Sequence, residues 1–267
     1  QVVEATLQEE TQPASVRLTD QPEEEPVPEL PPTIVPGRLG SFPAEPLEAD
    51  TVLSPNRNPT PANQSGSSIT VIDQDQIRRG GQNTVAEVLR GQLGVDVVRQ
   101  GGPGGVTSVF LRGGNSAQTK VLLDGISLND PSNASRLFDF SNLTVDNIER
   151  IEVLRGPQSM VYGSDAIGGV VNIITKRGQG PLSIRASMMG GTFKTGQTSL
   201  SASGGNERAY YSVTGTFLST GGISAASVRN GNTEHDRYNN GTVSGRLGYN
   251  LGDTWNVDYV FRYVDAA

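Results

Sequence analysis

The chain of 267 residues has no cysteine, one histidine, one tryptophan and few aromatic residues. Without cysteine there is no disulfide framework and no thiolate metal site, which fits both the cytosol and the bacterial envelope. The single histidine, His235, lies between Glu234 and Asp236 in a polar stretch. A catalytic triad needs a positioned serine and a shielded site, and an open polar loop supplies neither, so no enzyme is expected. No run of about 18 apolar residues exists, which excludes a transmembrane helix. Any passage of this chain through a bilayer must use strands. The chain opens on Gln with no basic segment followed by an apolar one, so a signal peptide, if there was one, is expected to have been removed already.

What is abundant is unevenly placed. Residues 1–50 carry a net charge of −9, the other 217 residues +2, and twelve of the sixteen prolines lie at or before Pro61. A segment such as QPEEEPVPELPP has neither helical nor strand periodicity and cannot bury enough apolar surface to offset its ordering entropy. Residues 1–49 therefore read as a disordered, acidic, Pro-rich linker. Its Glu run reads as a solvated spacer, and no nucleic acid is expected as a partner. Within EADTVLSPNRNPTPANQ, Thr51 to Ser54 alternate like a strand, yet prolines lie on both sides and no turn leads to a partner. The expectation is an exposed, unpaired strand at 50–54 followed by a flexible linker at 55–61.

From Ser68 the texture changes. SITVI reads as a strand, and Asp73 with Gln76 and Thr84 with Glu87 are capping boxes that open two short helices. VDVV reads as a buried strand. Gly101 to Gly105 resemble a phosphate loop only superficially: no Lys-Ser/Thr follows and no helix opens there, so a turn is expected. TSVFLRG and VLLDGISL follow, the latter with Asp-Gly between apolar runs as a hairpin signal. Then come the strand IERIEVLRG, a short helix with Pro157 at its first position, and the strand GGVVNIIT. This mixture predicts a compact α/β domain over 62–177.

Beyond Pro181 five segments of about ten residues alternate between apolar and polar positions. In the last, Trp255, Val257, Tyr259, Phe261 and Tyr263 share one face, and Asn256, Asp258 and Arg262 the other. A soluble sandwich also alternates, but its strands usually run to about 5–6 residues. Trp255 and Tyr263 would stand about 26 Å apart along a strand, or about 20 Å in height after tilting, which suits two aromatic girdles around a lipid-facing band. Residues 181–267 are expected to be the first five antiparallel strands of a transmembrane β-barrel. Five strands cannot close one, because the smallest bacterial barrels use eight, so the chain is expected to be the front part of a longer protein or a truncated one.

FSNLTVDNIERIEVLRGPQSMVYGSDAIGGVVNIITKRG, residues 140–178, resembles the plug domain of TonB-dependent outer-membrane receptors: Arg155-Gly156-Pro157, Tyr162-Gly163, Ala166, Gly168-Gly169 and Asn172-Ile173-Ile174-Thr175 all match the family pattern. VFLRGGNSAQTKVLLDGISLND matches a second family segment. The resemblance implies a mainly β protein, an α/β plug followed by a barrel of 22 strands when complete, in the bacterial outer membrane with the tail in the periplasm. It places a TonB box at Asp50, Thr51, Val52, Leu53 and Ser54, to which the TonB C-terminal domain would add a strand. It implies a gated transporter with a metal-chelate ligand, cobalamin or a ferric siderophore, the cobalamin type being the more similar; the alternative is a non-transporting, plug-bearing binding or signalling protein. Ligand-facing plug loops are expected at Gly114, Asn115, Ser116 and Gln118 and at Asn129, Asp130 and Arg136. Arg112 and Arg155 match the plug arginines that pair with barrel glutamates. No cofactor is expected, although Glu234 and Asp236 could offer oxygens to calcium in an outer loop.

Overall fold

The computed structural model describes residues 51–55, 57–222, 224, 231, 235–251 and 255–267. The expected linker at 1–49, Asp50 and Glu234 lie outside these residues. The protein is mainly β: a mixed α/β domain is followed by an open antiparallel sheet.

Two short strands, β1 (Thr51–Val52) and β2 (Thr60–Pro61), pair antiparallel. The central sheet of the first domain has five strands, in the order β3 (Ser68–Asp73), β8 (Ile148–Arg155), β9 (Gly169–Thr175), β6 (Thr119–Leu123) and β7 (Ile126–Ser127). Only β6 and β9 run parallel. The helices α1 (Gln74–Gly80) and α2 (Val85–Arg90) begin at the predicted capping boxes, each with both reciprocal hydrogen bonds formed. The Asp-Gly hairpin also forms: Asp124 and Gly125 both take positive φ, 47° and 81°, as a two-residue turn between twisted strands requires.

One face of the sheet carries the main core. Ile151, Val153, Val171 and Ile173 pack there with Val85, Leu89 and Ile77 of the helices. The other face holds a smaller cluster of Leu122, Leu154, Val170, Ala166 and Tyr162, the last from α3 (Ser159–Tyr162). Gly169 admits no side chain, since a Cβ there would lie 2.3 Å from the Leu154 carbonyl oxygen and 2.7 Å from Leu111. Two local expectations fail. VDVV is not a fully buried strand: β4 (Val95–Arg99) forms only a two-stranded ribbon with β5 (Thr107–Leu111), so Val95 is buried while Val98 is exposed. Pro157 does not open α3. It precedes the N-cap, Gln158, because the chain must first leave β8 through Gly156.

The second sheet is a meander of β10 (Ser183–Gly191), β11 (Thr195–Gly205), β12 (Ala209–Thr220), β13 (Tyr238–Leu251) and β14 (Trp255–Ala266). Its burial is inverted relative to a soluble sheet. The polar face of β12 and β13, with Ser212, Thr214, Thr216, Thr242, Ser244 and Arg246, is buried against the first domain. The apolar face, with Phe217, Leu247, Tyr249, Trp255, Val257, Tyr259 and Tyr263, is exposed. A sheet that hides hydroxyls and presents aromatics outward is built for an apolar surrounding.

Candidate functional site

The expected unpaired strand is neither unpaired nor exposed. Val52 pairs with Thr60 and Thr51 with Pro61, while Val52, Leu53 and Ser54 are buried. The prolines do not prevent this, because Pro61 takes the last position of a two-residue edge strand, where a missing N–H costs little.

The chain turns after Val52, so that consecutive N–H groups converge on one carboxylate. Glu152, in the middle of β8 and fully buried, accepts from the Leu53 nitrogen at 3.0 and 3.2 Å, from the Ser54 nitrogen at 2.8 Å and from Ser54 Oγ. Such a convergence of successive backbone donors is an anion nest. Arg150, two residues earlier on the same sheet face, places Nη2 2.8 Å from Glu152 Oε1 as an ion pair. From α3, the Tyr162 hydroxyl donates to the Ser54 carbonyl at 2.8 Å. Burial, the largest influence, pushes the phenol up to about 12, and Glu152 adds to this while Arg57, 4.8 Å from the ring centre, opposes it. The phenol therefore keeps its proton and remains a donor. A carboxylate, itself paired with Arg150, and a phenol thus hold the backbone of Leu53 and Ser54, contacts that rigid-body removal of the segment would break all at once.

Glu152 escaped the sequence reading, although a signal was present. A glutamate between Ile151 and Val153 in a strand buried on both faces needs donors from elsewhere in the chain.

Residues 61–170 match the family model described as the TonB-dependent receptor plug domain. Over that stretch the chain is similar to a TonB-dependent receptor plug. Solved structures agree in fold. The siderophore receptor PirA from Pseudomonas aeruginosa is 27% identical, with 74% of this chain and 35% of that one covered and a TM-score of 0.53. The ferripyoverdine receptor of the outer membrane of Pseudomonas aeruginosa is 16% identical, with 81% and 27% covered and a TM-score of 0.65. The ferric yersiniabactin uptake receptor FyuA from Yersinia pestis is 18% identical, with 77% and 32% covered and a TM-score of 0.61. The chain spans about a third of the length of these receptors, and β10–β14 correspond to part of a barrel wall.

The plug loops differ in what they present. Asn115 caps a short 3-10 helix, Ser116–Gln118, accepting from the Ala117 nitrogen, and the Gln118 side chain accepts from the Asn115 nitrogen. Asp130 is exposed and accepts from Ser132, which holds its carboxyl below the usual range. Arg136 reaches Asp165 at 3.4 Å, and Lys120 reaches the same carboxylate at 3.2 Å. Asn129 does not face a ligand. It is buried, and its amide accepts from the Val121 nitrogen and donates to the Thr119 and Arg136 carbonyls, so it closes its own loop.

The two arginines of the plug motif sit together but differently. Arg155 is buried, with Nε donating to the Leu93 carbonyl at 2.7 Å and Nη1 to Thr70 Oγ1 at 2.8 Å; Nη2 has no partner among the described residues. Burial, with a contribution from Arg112, lowers its pKa. Arg112 is exposed. A plug-to-wall contact that sequence reading missed runs the other way in charge: Asp124 of the plug meets Arg246 of β13 at 3.1 Å, both buried. Asp236 is described without its expected neighbour Glu234, and no cluster of three metal-ligating residues occurs among the described residues. The tip of the β4–β5 ribbon, the turn expected at Gly101 to Gly105, lies beside Asp236 and Tyr238 at the end of the wall that carries the long β12–β13 connection.

Proposed function

We propose that this chain is the coupling end of an outer-membrane receptor that takes up a ferric siderophore, energised by TonB acting on residues 50–54. The observation that carries this reading is the docked strand. Its backbone donors at Leu53 and Ser54, which strand addition by a partner would use, are held by Glu152. A coupling segment parked in this way needs a signal to release it, and ligand binding on the far side of the plug supplies one. The work would come from the inner-membrane proton gradient, since the outer membrane has no nucleotide supply of its own. No covalent chemistry is involved.

Siderophore rather than cobalamin is favoured as cargo because the similar solved receptors are named for siderophores. The ligand would meet the plug at the exposed parts of loops 113–118 and 129–136 and at the ribbon tip, Gly101 to Gly105. Loops on a rigid scaffold are where binding groups usually sit. Arg112 and Arg155 would latch the plug to carboxylates on strands beyond those of this chain.

The test is energised uptake by the complete receptor, with ferric pyoverdine, ferric enterobactin, ferric yersiniabactin and cobalamin offered in parallel. The expected result is retention and uptake of a ferric chelate, with uptake abolished and retention kept in Val52→Pro. Retention of cobalamin alone would overturn the cargo, and normal uptake by Val52→Pro would overturn the coupling segment.

A further inference from the structure

The plug does not meet the wall evenly. Against β12–β14 it is joined at four places along the strands. Tyr238 donates to Asn142 at 2.7 Å, Arg262 to the Thr144 carbonyl at 3.1 Å, Ser212 to Asn147, and Arg246 to Asp124. Val260 packs into the main core. Against β10 and β11 no side-chain hydrogen bond or ion pair reaches residues 68–176 among the described residues. Ser187 and Ser199, on the cleft side of these strands, bond to each other at 2.7 Å. Between α1 and these two strands lies a cleft of about 770 Å³.

The lining of the cleft is about half polar and half apolar, and its charged side chains are mostly basic. Arg78 of α1, Lys176 and Arg185 of β10 line it, with Asp146 as the carboxylate among them. Burial, then Arg78 and Arg185, holds Lys176 below the ordinary lysine range, and Arg78 also pairs with Asp75 at 3.4 Å. Asp146 Oδ2 and Asn147 Nδ2, from two buried residues on its lining, have no hydrogen-bond partner among the described residues. Buried polar groups of this kind call for water or a passing polar ligand. The movable side of the cleft is α1, which buries only Ile77 and follows β3, an edge strand paired with β8 alone. A pull arriving from β1 along the chain reaches β3 and α1 before any element joined to β12–β14.

We infer that the passage through this receptor opens between α1 and the β10–β11 side of the wall and takes an anionic chelate, while the β12–β14 side stays fixed. The inference rests on the transport reading above, and two experiments separate them. The first needs no transport. In a cysteine-free complete receptor, Ser199→Cys and Thr216→Cys are exposed to small thiosulfonate reagents, one anionic and one cationic. Ser199→Cys is expected to react at least threefold faster with the anionic reagent, and Thr216→Cys with neither. Equal rates for the two reagents, or comparable labelling at both positions, would overturn the basic cleft whatever the receptor transports.

The second experiment joins Gln82→Cys to Ser199→Cys, or Thr144→Cys to Ser244→Cys, with a reducible bifunctional thiol reagent. Uptake of whichever ferric chelate the unlinked receptor takes up is expected to fall at least tenfold with the first bridge and to return on reduction. The second bridge should leave uptake within twofold, and binding at the cell surface should persist with both. Uptake through the first bridge, or equal block by both, would overturn the route. Absence of uptake by the unlinked receptor would instead count against the transport reading, and the labelling rates would still decide the cleft.

Discussion

Glu152 Oε2 lies 2.8 Å from the backbone nitrogen of Ser54, 98 residues away in the chain, and this contact makes a buried carboxylate the anchor of the N-terminal strand. A hydrogen bond to a charged group contributes about 1.5–3 kcal/mol, set against water that rehydrates both partners when the strand leaves. Docking is therefore a balance of a few kcal/mol, and one substitution can tip it. In Glu152→Gln the charge is lost and an NH₂ is brought toward backbone donors, so docking should weaken about 10- to 100-fold. A spin label at Thr51→Cys in the complete receptor should change from immobile to mostly mobile. Because the substitution leaves Arg150 without its carboxylate, Arg150→Met/Glu152→Gln serves as the companion, expected to free the label with a smaller loss of thermal stability. An immobile label in both variants would show that Glu152 does not hold the strand.

Tyr162 supplies the second hold, and its response to pH has a definite sign. Its pKa is raised from 10.0 to about 12, so the folded, docked state binds the phenolic proton more tightly than the free side chain does. The stabilisation is fully present below pH 10.0 and is lost as pH rises through about 12. Mobility of the Thr51→Cys label should thus be flat from neutral pH to about 10 and rise above it. Tyr162→Phe should raise mobility at neutral pH, by about 1 kcal/mol of weaker docking, and remove the alkaline rise attributable to this group. The same alkaline profile in both proteins would assign the rise to another group.

Much of the plug was legible because its signals are local. Asp73 with Gln76, Thr84 with Glu87, and the Asp124-Gly125 turn each lie within four residues of their partners, and the backbone has few other ways to satisfy them. The alternation around Trp255 to Tyr263 was legible for the same reason. What sequence could not supply were pairings set by tertiary contact. Leu53 and Ser54 were read as exposed because prolines flank them, yet their apolar neighbour Val52 is wholly buried, and their donors match a glutamate that the same sequence leaves stranded in an apolar strand. Asn129 was assigned to a ligand face because it stands in a polar loop, and composition does not distinguish an amide open to solvent from one spent on three backbone groups. Asp124 and Arg246, 122 residues apart, carry no mark of their partnership at all.

The ribbon tip offers a steric test. Gly104 has φ +81°, and a Cβ there would lie 2.5 Å from the Tyr238 ring. Gly104→Ala therefore meets two penalties, the left-handed backbone at about 1–2 kcal/mol and the collision. Adding Tyr238→Ala removes the collision but not the backbone cost. Thermal unfolding of the complete receptor should show Gly104→Ala destabilised, and Gly104→Ala less destabilising when introduced into Tyr238→Ala than into the unaltered protein. An equal effect in both backgrounds would mean that the ring already moves aside.

The last test concerns the fixed side of the plug. Asp124 accepts from Thr175 and from Arg246, and Arg246 reaches Asp258 through Nε at 3.0 Å, while Arg177 reaches the other Asp258 oxygen at 3.2 Å. Two arginines and two aspartates thus cluster with no net charge, Asp124 and Arg246 buried and Arg177 and Asp258 half-buried, and the buried pair is costly to split. Removing one partner of a buried pair typically costs about 3–5 kcal/mol, since the other charge is left without compensation, whereas replacing both with apolar groups can be nearly neutral. Asp124→Leu and Arg246→Met should each destabilise the plug strongly. The double variant should recover part of that loss, giving a coupling energy of about 1–3 kcal/mol in a double-mutant cycle. The readout is the rate at which a cysteine at Thr144 becomes reactive in denaturant, because Thr144 is covered by Arg262 on the same side of the wall. If the two single effects simply add, Asp124 and Arg246 act independently, and the fixed side must be held by the hydrogen bonds from Ser212, Tyr238 and Arg262 instead.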